Sequence, residues 1–123
     1  MTYQHPSDLH RVGQVRDLAK TEADAFLAFH AAVFRDDGVV PRKDRELVAL
    51  AVATANRCAY CIDTHTRGAA EAGATGQEMT EVAFVAAAVS AGGAMAHGLL
   101  SHRLHRDQQG HAKTAPTGAH GHG

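Results

Sequence analysis

The run NRCAYCIDTH, residues 56–65, holds both cysteines of the chain and a histidine in fixed register. Cys58 and Cys61 are spaced i,i+3, and Cys61 and His65 are spaced i,i+4. On a helix these three side chains share one face, with His65 one turn above Cys61. The thiolate is the reactive form of cysteine, as nucleophile and as metal ligand. A helix N-terminus favours it, because unpaired N–H groups and the helix dipole stabilise negative charge there. That argument singles out Cys58. The register with His65 singles out Cys61, whose proton the imidazole can accept directly or through one water.

Glu46 joins the set by geometry. Were residues 42–65 one straight helix, Glu46 would lie about 18 Å from Cys58, at about 1.5 Å of rise per residue. If the chain breaks at Asn56-Arg57 and folds back, position 46 comes level with residues around 67. A carboxylate there reaches His65 and orients it, giving a chain Glu46–His65–Cys61. The spacing suits a relay rather than a direct contact between Glu46 and a cysteine.

Other assignments compete for the same residues. Glu46 can pair with Arg42, four residues earlier, on an exposed helix face. His65 can be an ordinary core or surface histidine. A CxxC pair with a histidine also supplies three zinc ligands, but a structural zinc site takes four, and no second Cys/His pair stands at a suitable spacing. Redox chemistry, metal binding and inert packing therefore remain three readings of these bare residues.

The elements that must position them are helices. From Gly13 to about Phe34, apolar residues recur at helical spacing, and Asp36-Asp37-Gly38 ends the pattern with turn chemistry. Pro41 sits just inside the first turn of a buried helix over Arg42–Ala55, with Leu47, Leu50, Ala51 and Thr54 on one side and Val48 and Val52 widening the stripe. Asn56 is a candidate cap for a third helix over Cys58–Ala72, which Gly73 closes. Thr75 and Glu78 fit a capping box opening a fourth helix through Val89. Gly92-Gly93 interrupts the pattern, and Ala94 to about His105 makes a fifth. No stretch alternates with period two. The expected fold is all-α, a compact single-domain bundle of about five helices over residues 1–107. A His/Gly-rich low-complexity tail follows over residues 108–123.

The chain of 123 residues has room for one core, and its 45% apolar content makes it globular. A net charge of −1 with no basic block speaks against nucleic acid as a partner. There is no apolar leader at the N-terminus and no run of 18 apolar residues, so the chain reads as cytoplasmic, with no membrane partner. In a reducing compartment a CxxC pair is catalytic or metal-binding more often than a permanent staple. Residues Val82 to Leu100 are apolar almost all round, which a lone small domain cannot hide, so a homo-oligomer is expected.

The run from Gly38 to Gly76, GVVPRKDRELVALAVATANRCAYCIDTHTRGAAEAGATG, resembles the core of the alkylhydroperoxidase D-like proteins within the carboxymuconolactone decarboxylase family. The pattern is a glutamate, a CxxC twelve residues later, and a histidine four residues after the second cysteine. Glu46, Cys58, Cys61 and His65 fit it without a gap. The resemblance implies an all-α trimer or hexamer that reduces hydroperoxides by a thiol cycle without a cofactor, recharged by an external dithiol. It implies Cys61 as the peroxidatic cysteine, Cys58 as the resolving one, and Glu46 with His65 as the proton relay. Two other functions stay beside it: a lyase acting on a lactone acid, a branch that generally lacks the CxxC pair, and a non-catalytic metal-binding or oligomeric protein. The best-known peroxidase of the family has a second histidine between its cysteines. Here Ala59 and Tyr60 stand there, and tyrosine is a poor base near neutral pH.

Overall fold

Residues 3–114 are described by a computed structural model, with side chains through residue 111. Among them are a 3-10 turn over Pro6–Arg11 and five α-helices: α1 Val12–Leu18, α2 Lys20–Val33, α3 Arg42–Asn56, α4 Ala59–Glu71 and α5 Gly76–Thr114. No strand occurs among the described residues. The all-α class is as expected. The count of five helices is also as expected, but through two departures that cancel.

The first departure is at Ala19. The helix expected over Gly13–Phe34 is two, because Ala19 leaves the helical region with φ −139° and ψ 64°. The bend is held by Asp24, which accepts from Arg16 Nε at 2.5 Å and Lys20 Nζ at 2.9 Å. Arg16 and Asp24 are eight residues apart, about 12 Å along a straight helix. Their contact requires the kink.

The second departure is at Gly92-Gly93, which breaks nothing: α5 runs through it and past Gln108 to Thr114. A helix-interior glycine costs roughly 1 kcal/mol relative to alanine, which a helix of 39 residues absorbs. Residues 108–114, read from composition as the start of a tail, are thus helical. The rest of that tail, 115–123, lies outside the described residues. At its start, α5 has the expected capping box. Thr75 N–H donates to Glu78 Oε1 at 2.9 Å, and Glu78 N–H donates to Thr75 Oγ1 at 3.1 Å.

The chain forms two units, Met1–Ala87 and Ala88–Gly123. In the second, the described residues are all in α5, and Met95, Leu99, Leu100 and Leu104 are exposed. No 18 residues are all apolar, yet α5 contains an 18-residue window with a mean hydropathy of 1.6, long and apolar enough to cross a membrane by length and composition. The first unit carries the site, on a hairpin of α3 and α4. Its buried apolar residues are Leu47, Leu50, Ala53, Ala69 and Ala86. Small side chains let the backbones approach closely. Val48 and Val52, expected to widen the buried stripe, are exposed.

The turn between α3 and α4 sets that hairpin. Pro41 sits at the N-cap of α3 with an extended ψ of 151°, one position earlier than expected. At the other end Arg57 adopts the left-handed region, with φ 56° and ψ 41°. Cys58 N–H reaches back to the Ala53 carbonyl at 3.0 Å, the bond that closes a helix of this kind. Asn56 is therefore the last residue of α3 and not a cap. Cys58 caps α4 instead, its Sγ accepting from Cys61 N–H at 3.2 Å. Gly73, with φ 92°, follows α4 where a glycine was expected.

Candidate functional site

The fold-back carries Glu46 onto α4. Its residue is only 3% exposed, the one buried charged residue among those described. Such burial is tolerable only if the charge is paired and hydrogen-bonded. Both oxygens of Glu46 are used. Oε1 accepts from Arg42 Nε at 3.0 Å and Nη2 at 2.8 Å, and Oε2 lies 2.8 Å from His65 Nδ1. The guanidinium is held above its ordinary pKa, first by the hydrogen bond to Glu46 and also by the Asp36 carboxylate. The rival pairing of Glu46 with Arg42 is thus present, but on a buried face and alongside the histidine.

With Nδ1 donating to the Glu46 carboxylate, the neutral imidazole has its lone pair on Nε2, the form a general base needs. The ring is fixed by packing as well. Phe34, at the end of α2, stacks on it with centroids 4.8 Å apart and 26° between planes. His30, one turn earlier, lies 5.9 Å from the His65 ring and 4.6 Å from that of Phe34.

Gly68 makes the approach of Glu46 possible. A Cβ on Gly68 would lie 2.6 Å from the carboxyl carbon and both oxygens of Glu46. Any larger residue would push the carboxylate off His65.

Cys58 and Cys61 are paired as a disulfide with Cα atoms 5.3 Å apart. Both line a cavity of about 540 Å³ together with His65. Its walls are mainly apolar, including Val33, Val48 and Val52. A second cavity of about 520 Å³ is lined by His65 too, but with Arg42, Glu46, Arg67 and Glu71. His65 is on both. Glu46 lines only the second, in keeping with a relay through the imidazole. Among the described residues, no group of three His, Cys, Asp or Glu side chains is placed to hold a metal ion.

The arrangement sits inside a stretch that matches a known family profile: residues 21–101 fit that of the carboxymuconolactone decarboxylase family. The chain belongs to that family. A carboxymuconolactone decarboxylase family chain of this kind is also similar to "Uncharacterized protein 4 in cox locus" of Paracoccus denitrificans, at 43% identity over 74 residues. That match covers 60% of this chain and 66% of the relative.

Within this family member, sequence reasoning named Glu46, Cys58, Cys61 and His65 as candidates, and the fold brings Glu46 to His65 and both cysteines to His65's cavity. It missed Gly68, although the fold-back had put position 46 level with residues around 67. It missed Phe34 and His30, which come from α2 and carry no signal in their spacing. Tyr60 has a different partner. Its hydroxyl donates to Asp8 Oδ2 at 2.7 Å in the 3-10 turn, so it is committed to that turn. Asp8 is held below the usual carboxylate pKa, first by this hydrogen bond, and Tyr60 is raised above 10.0 by the same contact.

Proposed function

We propose that the chain is a thiol-dependent hydroperoxide reductase. The observation that carries this reading is His65, which meets buried Glu46 at 2.8 Å and lines the cavity of the Cys58–Cys61 pair. In the reduced protein, His65 Nε2 takes the proton of Cys61. The Cys61 thiolate attacks the terminal peroxide oxygen, an S–O bond forms, and the O–O bond breaks. The leaving alkoxide recovers the proton from His65 and departs as the alcohol. Cys58 then displaces hydroxide from the Cys61 sulfenic acid; the disulfide forms and water leaves. An external dithiol reduces the disulfide by exchange and is itself oxidised to a disulfide. No cofactor enters the cycle.

Cys61 is assigned the peroxidatic role because it is in register with His65. The Cys61 N–H donated to Cys58 Sγ favours a Cys58 thiolate, so the resolving role of Cys58 rests on the register of Cys61 with His65 alone. A lyase acting on a lactone acid, the activity the family name denotes, has no use for the dithiol.

We further infer a homotrimer or homohexamer in the cytoplasm, with no nucleic acid or membrane partner. Support comes from the exposed apolar side chains of α5, among them Phe84, Val89, Met95 and Leu99, with Gly92 and Gly93 allowing close approach of a second helix. Sedimentation without detergent should give a fixed multiple of the chain mass. A monomer that needs detergent to stay dispersed would overturn this part.

The reaction is tested by adding a small excess of hydroperoxide to the reduced protein. Rapid loss of two thiols per chain, abolished in Cys61→Ser, is expected. Thiols that survive the peroxide would refute the reading.

A further inference from the structure

Arg45 is a half-buried cation without a carboxylate. Arg16, Arg42 and Arg67 each meet an aspartate or glutamate. Arg45 instead donates from Nε to the Val40 carbonyl at 2.8 Å and from Nη1 to the Val33 carbonyl at 2.6 Å, and forms no ion pair among the described residues. Arg57 and Arg106 also form none, but they are exposed. A guanidinium has five N–H donors; two go to these carbonyls and Nη2 packs against Gly38, which leaves the remaining Nη N–H edge as the anchor for a ligand. A carboxylate is the anion that forms a charge-assisted hydrogen bond with such a donor.

Its position gives the charge meaning. Arg45 lines the cavity of about 540 Å³ that also holds Cys58 and Cys61. The floor of that cavity is one stripe of α3, Arg45, Val48, Ala49, Val52 and Ala53, at helical spacing. One end is cationic. At the other, Ala53 bonds the backbone of Cys58. The eight residues between Arg45 and Ala53 rise about 12 Å. Apolar side chains fill the lane between.

We propose that this cavity binds an apolar hydroperoxide bearing a carboxylate, such as a fatty-acid hydroperoxide, with the carboxylate on Arg45 and a mid-chain O–O group at the dithiol. The proposal rests on the peroxidase reading for the reacting group, while the anchor and the lane stand on their own geometry. The acid is reduced to the corresponding hydroxy acid by the steps given above, with an external dithiol as the source of electrons. Hydrogen peroxide is too small to use either the lane or the anchor.

The test compares linoleic acid hydroperoxide with its methyl ester as oxidants of the reduced protein, followed as thiol loss. The acid should react faster by about tenfold or more, the worth of a charge-assisted hydrogen bond. Arg45→Gln should bring the acid-to-ester ratio close to one, and Arg45→Lys should restore part of it. Because the ratio is taken within one preparation, it does not depend on the fraction folded. Arg45 also ties two loop carbonyls, so Val48→Glu serves as a second variant that leaves them alone. Its carboxylate in the lane should lower the ratio by repulsion. Equal rates for acid and ester in the unaltered protein overturn the anchor and leave the peroxidase reading standing. If no hydroperoxide consumes the thiols, the peroxidase reading falls, and calorimetric titration with decanoate decides the anchor. Binding weakened at least tenfold by Arg45→Gln supports it, and absence of binding overturns it.

Discussion

The two sides of His65 differ in kind although their cavities are nearly equal in size. On the sulfur side the walls are valine and alanine, with Arg45 at the far end. On the other side Arg42, Glu46, Arg67 and Glu71 line the space. An apolar wall strengthens every electrostatic interaction that crosses it. The polar side supplies charge. The imidazole faces both, so under the proposed function a proton would pass from a thiol on the apolar side to a base held by a carboxylate on the polar side. On that reading a small helical domain places a relay next to an apolar site without mixing them.

The sharpest way to break this division is at Glu46. Glu46→Ala takes a buried hydrogen-bond partner from Arg42 and His65 and is expected to destabilise the fold by about 1–3 kcal/mol, read from urea unfolding; Arg42 is partly exposed and keeps Asp36. Glu46→Gln keeps the shape and should stay folded, while thiol oxidation slows about 10- to 100-fold. Unchanged oxidation kinetics in that variant would reduce the polar side to packing.

Gly68→Ala attacks the same contact from α4. The added methyl meets the Glu46 carboxylate, and a loss of about 1–3 kcal/mol is expected from overpacking. That outweighs the roughly 1 kcal/mol of helix propensity that alanine gains. A rise in the urea midpoint would mean that the two helices separate at little cost. Next in size is Phe34→Leu, which removes the ring stacked on His65. It should cost about 0.5–1.5 kcal/mol and slow oxidation less than Glu46→Gln does. A larger slowing would place Phe34 in the chemistry itself.

The smallest effect lies outside both cavities, at Tyr60 and Asp8. Asp8 has a lowered pKa, so its contribution is present above the ordinary carboxylate range and is lost as pH falls through its lowered value. Tyr60 has a raised pKa, so its contribution is present below 10.0 and is lost as pH rises through the raised value. The Pro6–Arg11 turn should therefore protect its amides across the neutral range and lose protection at both extremes. Loss of protection between pH 6 and 8 would show that this contact does not hold the turn.

How much of this was legible depends on distance along the chain. Glu46 and His65 are 19 residues apart on two helices joined by a tight turn, so arithmetic about the break suffices to bring them together. The same arithmetic reaches Gly68 once the approach of a carboxylate is considered. Phe34 and His30 were not legible, because nothing in α2 fixes how that helix meets α4. Local signals misled in two places. Gly92-Gly93 has the composition of a break, but a long apolar helix tolerates two glycines. Ala19 has the composition of a helix interior, but Asp24 draws Arg16 and Lys20 together and bends the chain there. The cap of α4 was assigned to Asn56 by residue type, whereas the left-handed conformation of Arg57 moves that role to Cys58.

That left-handed residue also bears on how the protein comes to be folded. Because the reversal at Arg57 is tight, the loop closed between Glu46 and His65 is short, and closing it costs little chain entropy. Structures dominated by such local closures form quickly. The α3–α4 hairpin is therefore a candidate folding nucleus that brings Glu46, His65 and the cysteine pair together in a single local event. The candidate site is then among the first parts of the chain to acquire its final geometry.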